Sequence, residues 1–248
     1  MIALPCAAIG REPWRGLRLA AEAAVNPLFQ PVKDMAAITD NVIVAVSGGK
    51  DSVVTLDLCS RHFKKVSAFF MYFVKNLSFQ EKWLNWAEDH YGIEILRIPH
   101  FDLSDFVHNG AFRPEQPETP VIKINDVYAY VRQEFDAHWI AAGERIADSI
   151  WRRAMMKQSG LIDHKRGRFY PVGNFTKPQV FAYLKAHHLP VSEESRTLGF
   201  SFRSFMSKDL IAIKEKYPDD FIKIVDQFPF IEASIKQLEY FNEPVPEV

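Results

Sequence analysis

The chain has 248 residues, of which 48% are hydrophobic and 13% aromatic, and its formal net charge is −1. This composition suffices for a large domain with a sizeable core, and the charge gives no overall attraction to nucleic acid or to a membrane surface. No apolar stretch approaches the roughly 20 residues of a membrane-spanning helix. The first residues lack the basic region of a signal peptide, and Cys6 and Cys59 are far apart in sequence. We therefore expect a cytoplasmic protein with reduced cysteines.

Predicted strands alternate with predicted helices through the first half of the chain. Four runs rich in apolar, β-branched and aromatic residues predict strands, and three stretches between them have the spacing of amphipathic helices. The strands are 42–46, 67–74, 93–98 and 138–142, and the helices are 52–63, 78–91 and 124–136. This alternation favours an α/β fold with a doubly wound, mostly parallel sheet. Ligands of such folds bind beyond the carboxyl ends of the strands.

Both ends of the chain are predicted to be helical extensions. Residues 13–24 have an Ala- and Leu-rich helical pattern, and residues 207–241 have helical spacing that two prolines interrupt. Between them, Thr176-x-x-Gln179 predicts a capping box at the start of a further helix. The expected organisation is an N-terminal helical extension over 1–40, a central domain over 41–195 and a C-terminal helical segment over 196–248.

The most informative segment joins the first predicted strand to the following helix and reads Ser47-Gly48-Gly49-Lys50-Asp51-Ser52. Adjacent glycines let the backbone approach an anion closely, and the first amides of the helix would face that anion with the positive end of the helix dipole. Lys50 adds a cation, and the hydroxyls of Ser47 and Ser52 add donors. The segment therefore predicts a phosphate site, and Asp51 beside an anion indicates a divalent cation between them.

Three other loop types fit this segment less well. A Walker A loop needs glycine where Val44 stands and Ser or Thr where Asp51 stands, and a hydrolase nucleophile elbow needs glycine at Ala45. Ser47-x-x-Lys50 matches the first β-lactamase signature, but Ser-Asp-Asn and Lys-Thr-Gly do not follow. A serine hydrolase and a merely polar strand-to-helix turn both stay open as alternatives.

The strand, loop and helix together resemble the PP-loop of the N-type ATP pyrophosphatases, which cleave ATP between the α and β phosphates. Within that superfamily, two downstream segments resemble the phosphoadenosine phosphosulfate reductase and sulfate adenylyltransferase small-subunit family. They are Trp139–Ser149, which contains Gly143-Glu144-Arg145, and Tyr170–Leu184, which is followed by Leu189-Pro190. The resemblance covers about residues 32–200 and implies an adenine nucleotide alpha hydrolase-like fold.

The resemblance also implies Mg-ATP as the bound species. The nucleotide-binding residues would be Ser47, Gly48, Gly49, Lys50, Asp51, Ser52, Phe73 and Gly143. Lys50 would contact the pyrophosphate leaving group, Asp51 would hold Mg²⁺, and Arg145 would contact the α phosphate or the acceptor; these three are the expected catalytic residues. Phe73 would contact the adenine, and Gly143 would let the ribose approach the backbone.

Several of these assignments have structural alternatives. Arg145 and Asp148 are three residues apart and could pair with each other at the start of a helix. Phe73 could be an ordinary core residue. Cys59 falls on the apolar face of its predicted helix, where a small buried side chain is expected rather than a reactive thiol.

Residues 145–168 form a basic region with seven Lys or Arg against two Asp. On a nearly neutral chain, this local excess of positive charge suits a phosphate-rich acceptor such as a nucleotide or a nucleic acid. A solvated helix face and loop is the structural alternative.

The sequence departs from the resembled family in its cysteines. The sulfonucleotide reductases use a cysteine near the C-terminus, and no cysteine follows Cys59 here. The paired cysteines of iron–sulfur reductases and of tRNA thiolases are also absent from the sequence. The expected function is therefore ATP-dependent adenylation of an unidentified sulfate-, nucleotide- or nucleic-acid-related acceptor, with a protein partner or a homo-oligomer left open. The alternatives are a non-catalytic nucleotide-binding regulatory module and a sulfonucleotide-binding relative in DNA or RNA sulfur modification.

Overall fold

The computed structural model describes residues 27–197, 202 and 205–242. The helix predicted at 13–24 lies outside these residues. The strands are β1 (Asn41–Val46), β2 (Lys65–Tyr72), β3 (Ile95–Pro99), β4 (Ile140–Ala141), β5 (Ile162–Asp163) and β6 (Arg168–Phe169). They form one sheet in the order β3-β2-β1-β4-β6-β5, in which only the β5–β6 pair is antiparallel. The predicted α/β fold with a mostly parallel sheet is confirmed.

Helices surround this sheet and continue beyond it, after a short 3₁₀ turn at Pro27–Phe29. They are α1 (Gln30–Ile38), α2 (Lys50–His62), α3 (Ser78–Tyr91), α4 (Phe101–Asn109), α5 (Ile124–Phe135), α6 (Ile150–Ser159), α7 (Lys177–Ala186), α8 (Glu193–Thr197), α9 (Ser207–Lys216), α10 (Pro218–Gln227) and α11 (Ile231–Asn242). In the part of the chain that the structure describes, none of them has the length and apolar character needed to cross a membrane.

Alternate residues of β1 enter two different cores, as the two-residue period of a strand requires. Val42, Val44 and Val46 pack in the core that α1, α2, α3 and α7 cover. Ile43 packs on the opposite face, against Val127 of α5. Because both faces of the strand are buried, β1 is apolar from Val42 to Val46 rather than alternating, which is typical of a parallel sheet between two helical layers.

The element boundaries differ from the predicted ones where pairing ends early. The strand predicted at 138–142 is regular only over Ile140–Ala141, although the Trp139 carbonyl accepts from the Ile43 amide and the Ala142 amide donates to the Phe169 carbonyl. The strand predicted at 67–74 is displaced by two residues, to Lys65–Tyr72. The capping box of α7 is confirmed, because Thr176 Oγ1 accepts from the Gln179 amide and Gln179 Oε1 accepts from the Thr176 amide.

The C-terminal helices hold the chain that follows β2. Asp220 of α10 is 1% exposed and accepts hydrogen bonds from the Ser78 amide (2.8 Å) and hydroxyl (2.6 Å) at the start of α3. Lys223 donates to the Asn76 carbonyl at 2.7 Å, and Gln227 donates to the Phe73 carbonyl at 2.9 Å. Hydrogen bonds with side chains of α10 therefore hold the segment that follows β2 in place. The domain boundary expected near residue 195 stays a prediction.

A buried carboxylate anchors α2 to two neighbouring helices. Asp57 is 1% exposed and accepts from Arg61 Nε at 2.6 Å, from the Tyr183 hydroxyl at 2.7 Å and from the Tyr91 hydroxyl at 3.2 Å. Burial and the charge of Asp57 both raise the pKa of Tyr183, so its hydroxyl stays protonated and donates. This network fixes the orientation of α2, which carries the glycine-rich loop at its start.

Replacing Asp57 with alanine is expected to lower the free energy of unfolding by about 3 kcal/mol, because one guanidinium and two hydroxyls lose a buried acceptor. Urea denaturation measures the change. The matched control is Asp40→Ala, which breaks a surface pair between side chains that are 63% and 80% exposed and should cost less than about 1 kcal/mol. Equal losses in both variants would contradict a structural role for Asp57.

Candidate functional site

The glycine-rich loop lies between β1 and α2, at the carboxyl edge of the sheet. Gly48 has φ +68°, a conformation that favours glycine, and its carbonyl accepts from the Ser192 amide at 2.9 Å. A Cβ on Gly48 would lie 2.9 Å from Ser192 Cβ. The loop therefore needs glycine at this position for two reasons, its backbone conformation and the close approach of the segment before α8.

The two serines of the loop bond to each other and to its backbone. The Ser52 hydroxyl donates to the Gly49 carbonyl at 2.9 Å and accepts from the Ser47 amide at 3.1 Å. The two hydroxyl oxygens lie 3.2 Å apart. Gly49, at the N-cap of α2, has no side chain to accept from the amides of the first helical turn, which have no intrahelical acceptor either. The serines shape the loop, and donation from these amides to an anion stays a prediction.

Asp51 joins the loop to the segment that follows β4. Its Oδ2 lies 2.6 Å from Lys50 Nζ, and its Oδ1 lies 2.9 Å from Arg145 Nε. The Arg145 contact lacks the alignment of a hydrogen bond and is an ion pair. Arg145 is 5% exposed, and its Nη2 donates to Asp148 Oδ1 at 2.6 Å. The pairing of Arg145 with Asp148 that the spacing allowed is present, but Arg145 also reaches Asp51.

Gly143 lets the chain after β4 pass close to the start of α2. A Cβ added to Gly143 would lie 2.9 Å from the Ser52 amide nitrogen and 3.0 Å from the Asp51 carbonyl carbon. Because backbone atoms stand there, a side chain could be accommodated only if α2 or the segment moved. This packing is by itself a reason for glycine, and the predicted approach of a ribose to Gly143 stays a prediction.

Phe73 follows β2 and is buried in a further apolar core, which it shares with side chains of the C-terminal helices α9, α10 and α11. Its ring is 2% exposed and stacks on His100, with centroids 4.5 Å apart and planes at 20°. Phe205 meets the same ring edge-on at 5.8 Å. This placement matches the structural alternative, an ordinary core residue. The adenine contact of Phe73 stays a prediction.

The basic region at 145–168 divides into paired and exposed cations. Arg152 contacts Glu144 at 3.5 Å, Arg166 contacts Asp163 at 2.8 Å, and Arg168 lies over the Tyr128 ring at 5.5 Å. Together with Arg145, these side chains are engaged within the protein. Arg153, Lys157 and Lys165 are exposed, and the Arg166 side chain is 54% exposed although it pairs with Asp163. Binding of a phosphate-rich acceptor to this region stays a prediction.

Cys59 is fully buried, and burial together with Asp57 raises the pKa of its thiol. The thiol is therefore neutral and covered at physiological pH. Cys6 lies outside the described residues. The expectation that Cys59 is a small buried core side chain agrees with this environment.

Trp83 and Glu194, which the sequence analysis did not single out, stabilise the 190–192 segment that packs against Gly48. Trp83 of α3 donates from Nε1 to the Pro190 carbonyl at 2.9 Å and thereby fixes the start of the 190–192 segment. Glu194 is 1% exposed, with Gln80 Nε2 3.3 Å and Ser192 Oγ 3.4 Å from its carboxyl oxygens. Burial raises the pKa of Glu194 to about 8, so the carboxyl is mostly protonated at neutral pH. In the sequence, nothing distinguishes Glu194 from its partly exposed neighbour Glu193 as the buried carboxyl.

A comparison with known protein families matches the part of the chain that contains the sheet, the glycine-rich loop and the segment after β4. Residues 41–193 match the family described as the phosphoadenosine phosphosulfate reductase domain, a span of more than half of the chain. The chain belongs to this family. It is therefore a member of the PP-loop ATP pyrophosphatase superfamily, as the resemblance predicted, and it has the expected adenine nucleotide alpha hydrolase-like fold. No curated protein matches the chain.

The solved structures similar to this chain include proteins from three organisms. A phosphoadenylyl-sulfate reductase from Candida auris, in a phosphate complex, is 15% identical, with 80% of this chain and 96% of that chain covered and a TM-score of 0.48. An NH3-dependent NAD synthetase from Campylobacter jejuni is 14% identical, with 89% and 97% covered and a TM-score of 0.45. A U34-tRNA thiolase from Methanococcus maripaludis is 13% identical, with 88% and 81% covered and a TM-score of 0.45.

Glu194→Gln is expected to stabilise the protein increasingly as the pH rises from about 4.5 to about 8. Across this interval the Glu194 carboxyl is ionised in the unfolded chain but protonated in the folded one. The contribution of Glu194 to wild-type stability is therefore complete near pH 4.5 and is lost as the pH rises toward 8. The difference in unfolding free energy between variant and wild type should grow by no more than about 1.4 kcal/mol per pH unit.

Urea denaturation at several pH values gives that difference. The control is Glu193→Gln, because Lys82 holds the pKa of the neighbouring Glu193 below its usual value and this residue does not titrate in the interval. A Glu194→Gln difference that is constant from pH 5 to 8 would show that the buried carboxyl is already ionised.

Proposed function

We propose that the chain binds ATP at the loop of residues 47–52 and cleaves it between the α and β phosphates, with transfer of the adenylate to an acceptor and release of pyrophosphate. Family membership establishes a PP-loop nucleotide-binding fold. The observation that carries the proposal is the start of α2, where two glycines, amides without a side-chain cap and Lys50 follow one another at the carboxyl edge of the sheet. A polyphosphate is the ligand that matches this donor set.

In the proposed reaction, an oxygen of the acceptor forms a bond to the α phosphorus. The bond from that phosphorus to the oxygen bridging to the β phosphate breaks, and pyrophosphate leaves with the electron pair. The acceptor proton passes to solvent. No protein nucleophile takes part, so the contribution of the protein is to position the groups and to neutralise the charge that develops on the leaving group.

Lys50 and Asp51 change partners in this proposal. In the structure, Lys50 Nζ is paired with Asp51 Oδ2 at 2.6 Å. A bound β or γ phosphate offers Lys50 more negative charge than one carboxylate does, and the ammonium group would turn toward it. The freed carboxylate oxygen of Asp51 is then available to a cation.

The residues at the site fit a magnesium ion that arrives with the nucleotide. Magnesium in such sites is held by one or two carboxylates, the substrate phosphates and water, rather than by a cage of protein ligands. Asp51 would supply the carboxylate. The described part of the chain contains no cluster of three or more His, Cys, Asp or Glu side chains suited to a metal. When bound, the ion would supply positive charge against the phosphate oxygens.

Arg145 has one proposed role in the arrangement that the structure shows and a second role that requires a change of partner. Its guanidinium is 5% exposed and is held by Asp51, by Asp148 and by the Phe175 carbonyl at 3.5 Å. In this arrangement Arg145 is a positioning residue for Asp51. The predicted contact between Arg145 and the α phosphate would follow only if Asp51 released Nε on binding the cation.

We do not propose sulfonucleotide reduction, although the family takes its name from that reaction. The sequence has no cysteine after Cys59, Cys59 is buried with a raised thiol pKa, and Cys6 lies outside the described residues, so no described cysteine suits thiol-dependent reduction. The second candidate is a nucleotide-binding module that does not cleave ATP. The ion pair between Lys50 and Asp51 would favour this candidate if the pair stayed intact when ATP is bound. A cytoplasmic location, a partner subunit or homo-oligomer, and a place in DNA or RNA sulfur modification remain proposals beside this one.

Lys50→Ala and Asp51→Asn are each expected to reduce pyrophosphate release at least a hundredfold, because one removes the cation at the leaving group and the other removes the carboxylate for the metal. The assay incubates full-length protein with Mg-ATP and candidate acceptors and identifies the products. An adenylated acceptor or AMP, together with pyrophosphate, is the expected outcome.

The control is Lys64→Ala, which removes an exposed cation at the far end of α2 and should leave turnover unchanged. ADP with orthophosphate as products would contradict cleavage at the α phosphate. Full activity in either loop variant would overturn the assignment of the loop, whereas ATP binding without any product would support the module without turnover.

A further inference from the structure

The peptide group between Gly48 and Gly49 is held from one side only. Its carbonyl accepts a hydrogen bond from the Ser192 amide at 2.9 Å, whereas its N–H, which belongs to Gly49, has no hydrogen-bond partner in the described part of the chain. The described residues contain no cis peptide bond, and in a trans peptide the C=O and the N–H point in opposite directions. The bond from Ser192 therefore directs the Gly49 N–H away from the 190–192 segment.

Gly49 stands at the end of α2 where an anion is expected. It is the N-cap of this helix, and its carbonyl accepts from the Val53 amide at 3.0 Å. The amides of residues 50–52 also lack a hydrogen-bond partner among the residues that the structure describes. Amides of a first turn point out of the N-terminal end of their helix. The Gly49 N–H can join them as a fourth donor at this end.

The loop itself does not fix the orientation of this peptide group. Glycine stands on both sides of it, so no Cβ opposes rotation of the peptide plane. A rotated peptide would turn the Gly48 carbonyl, with its partial negative charge, toward a bound phosphate. The orientation thus depends on a donor from outside the loop, and the structure shows Ser192 in that position.

The segment that supplies this donor is anchored to α3. Trp83 Nε1 donates to the Pro190 carbonyl at 2.9 Å, and Gln80 Nε2 lies 3.3 Å from a carboxyl oxygen of Glu194. The Ser192 hydroxyl lies 3.4 Å from the same carboxyl group, and Ser192 is 2% exposed. A buried segment therefore connects α3 to the glycine-rich loop and holds the Ser192 amide in place.

We propose that Ser192 is a positioning residue for the pyrophosphate site, because its backbone N–H holds the Gly48 carbonyl and so turns the Gly49 N–H toward the phosphates of the nucleotide. Ser192 contacts no ligand itself and acts through Gly48. A donor that is oriented before the nucleotide binds stabilises the charge that develops on the leaving pyrophosphate without further rearrangement. The inference rests on the proposed function and adds to it an element outside residues 47–52.

Ser192→Pro removes the backbone N–H and tests the proposal directly. We expect it to weaken the binding of magnesium pyrophosphate to the full chain about ten- to hundredfold, which is the effect of losing one hydrogen bond to a charged group. Ser192→Ala keeps the N–H and removes only the hydroxyl, so this variant should retain most of the affinity. Isothermal titration calorimetry measures the affinities, and circular dichroism shows that each variant is folded.

The matched control is Glu193→Pro, one residue further along the chain. Glu193 is the first residue of α8, a position at which helices tolerate proline, and its amide makes no hydrogen bond within the described ranges. This variant should bind pyrophosphate as tightly as the wild type. If Ser192→Pro does not fold, Trp83→Phe takes its place, because it keeps a ring and removes the donor to Pro190; it should weaken binding about two- to tenfold.

The orientation of the Gly49 N–H has a spectroscopic signature that a loss of stability alone does not produce. In protein labelled with ¹⁵N-glycine, which has 11 glycines, the Gly49 signal is the one that disappears in Gly49→Ala, a substitution that its φ of −74° permits. On saturation with magnesium pyrophosphate, this amide proton should shift downfield in the wild type and in Glu193→Pro, but not in Ser192→Pro.

An unmoved Gly49 signal in the pyrophosphate-bound wild type would overturn the proposal. Unchanged affinity in folded Ser192→Pro, or in Trp83→Phe where it takes its place, would also overturn it, as would equal losses in the two proline variants. If the wild type bound neither pyrophosphate nor Mg-ATP, the proposed function of the loop would be wrong and this inference with it. Pyrophosphate release by the wild type, together with an unmoved Gly49 signal, would remove only the role of Ser192.

Discussion

The close contact of Gly143 with the first turn of α2, reinforced by the Arg145–Asp51 ion pair, is the constraint on which the candidate site depends. It places the segment after β4 against the backbone of Asp51 and Ser52, at the end of the loop that follows β1. Neighbouring parallel strands deliver their carboxyl ends to one edge, but the sheet alone leaves the two loops free to diverge. The absence of a Cβ at residue 143 and one buried guanidinium set their distance.

The loop is also supported from the opposite side by residues that contact no expected ligand. Ser192 binds the Gly48 carbonyl, and the protonated Glu194 lies beneath Ser192 in an uncharged setting. Farther along the edge, Asp220 fixes the start of α3. Each support joins the site to a different part of the chain, so the conformation of a six-residue loop is determined by packing over much of the molecule.

The sequence was sufficient for what depends on local chemistry and insufficient for what depends on distant contacts. The loop at 47–52, the parallel sheet and the cap of α7 follow from neighbouring residue types. The two-residue strands β5 and β6 are too short for any periodicity to be detected. Burial of Arg145 and Glu194 and exposure of Trp151 depend on which segments pack beside them, and the same residue types occur in either environment.

The most direct measurement of the central claim is a structure of the protein with magnesium and an ATP analogue that has a methylene group between the α and β phosphates. The account predicts β- and γ-phosphate oxygens on the amides of residues 48–52, Lys50 Nζ moved from Asp51 to the phosphates, and the metal on Asp51. A nucleotide bound with its phosphates away from this loop, or an intact Lys50–Asp51 pair beside bound phosphates, would contradict it.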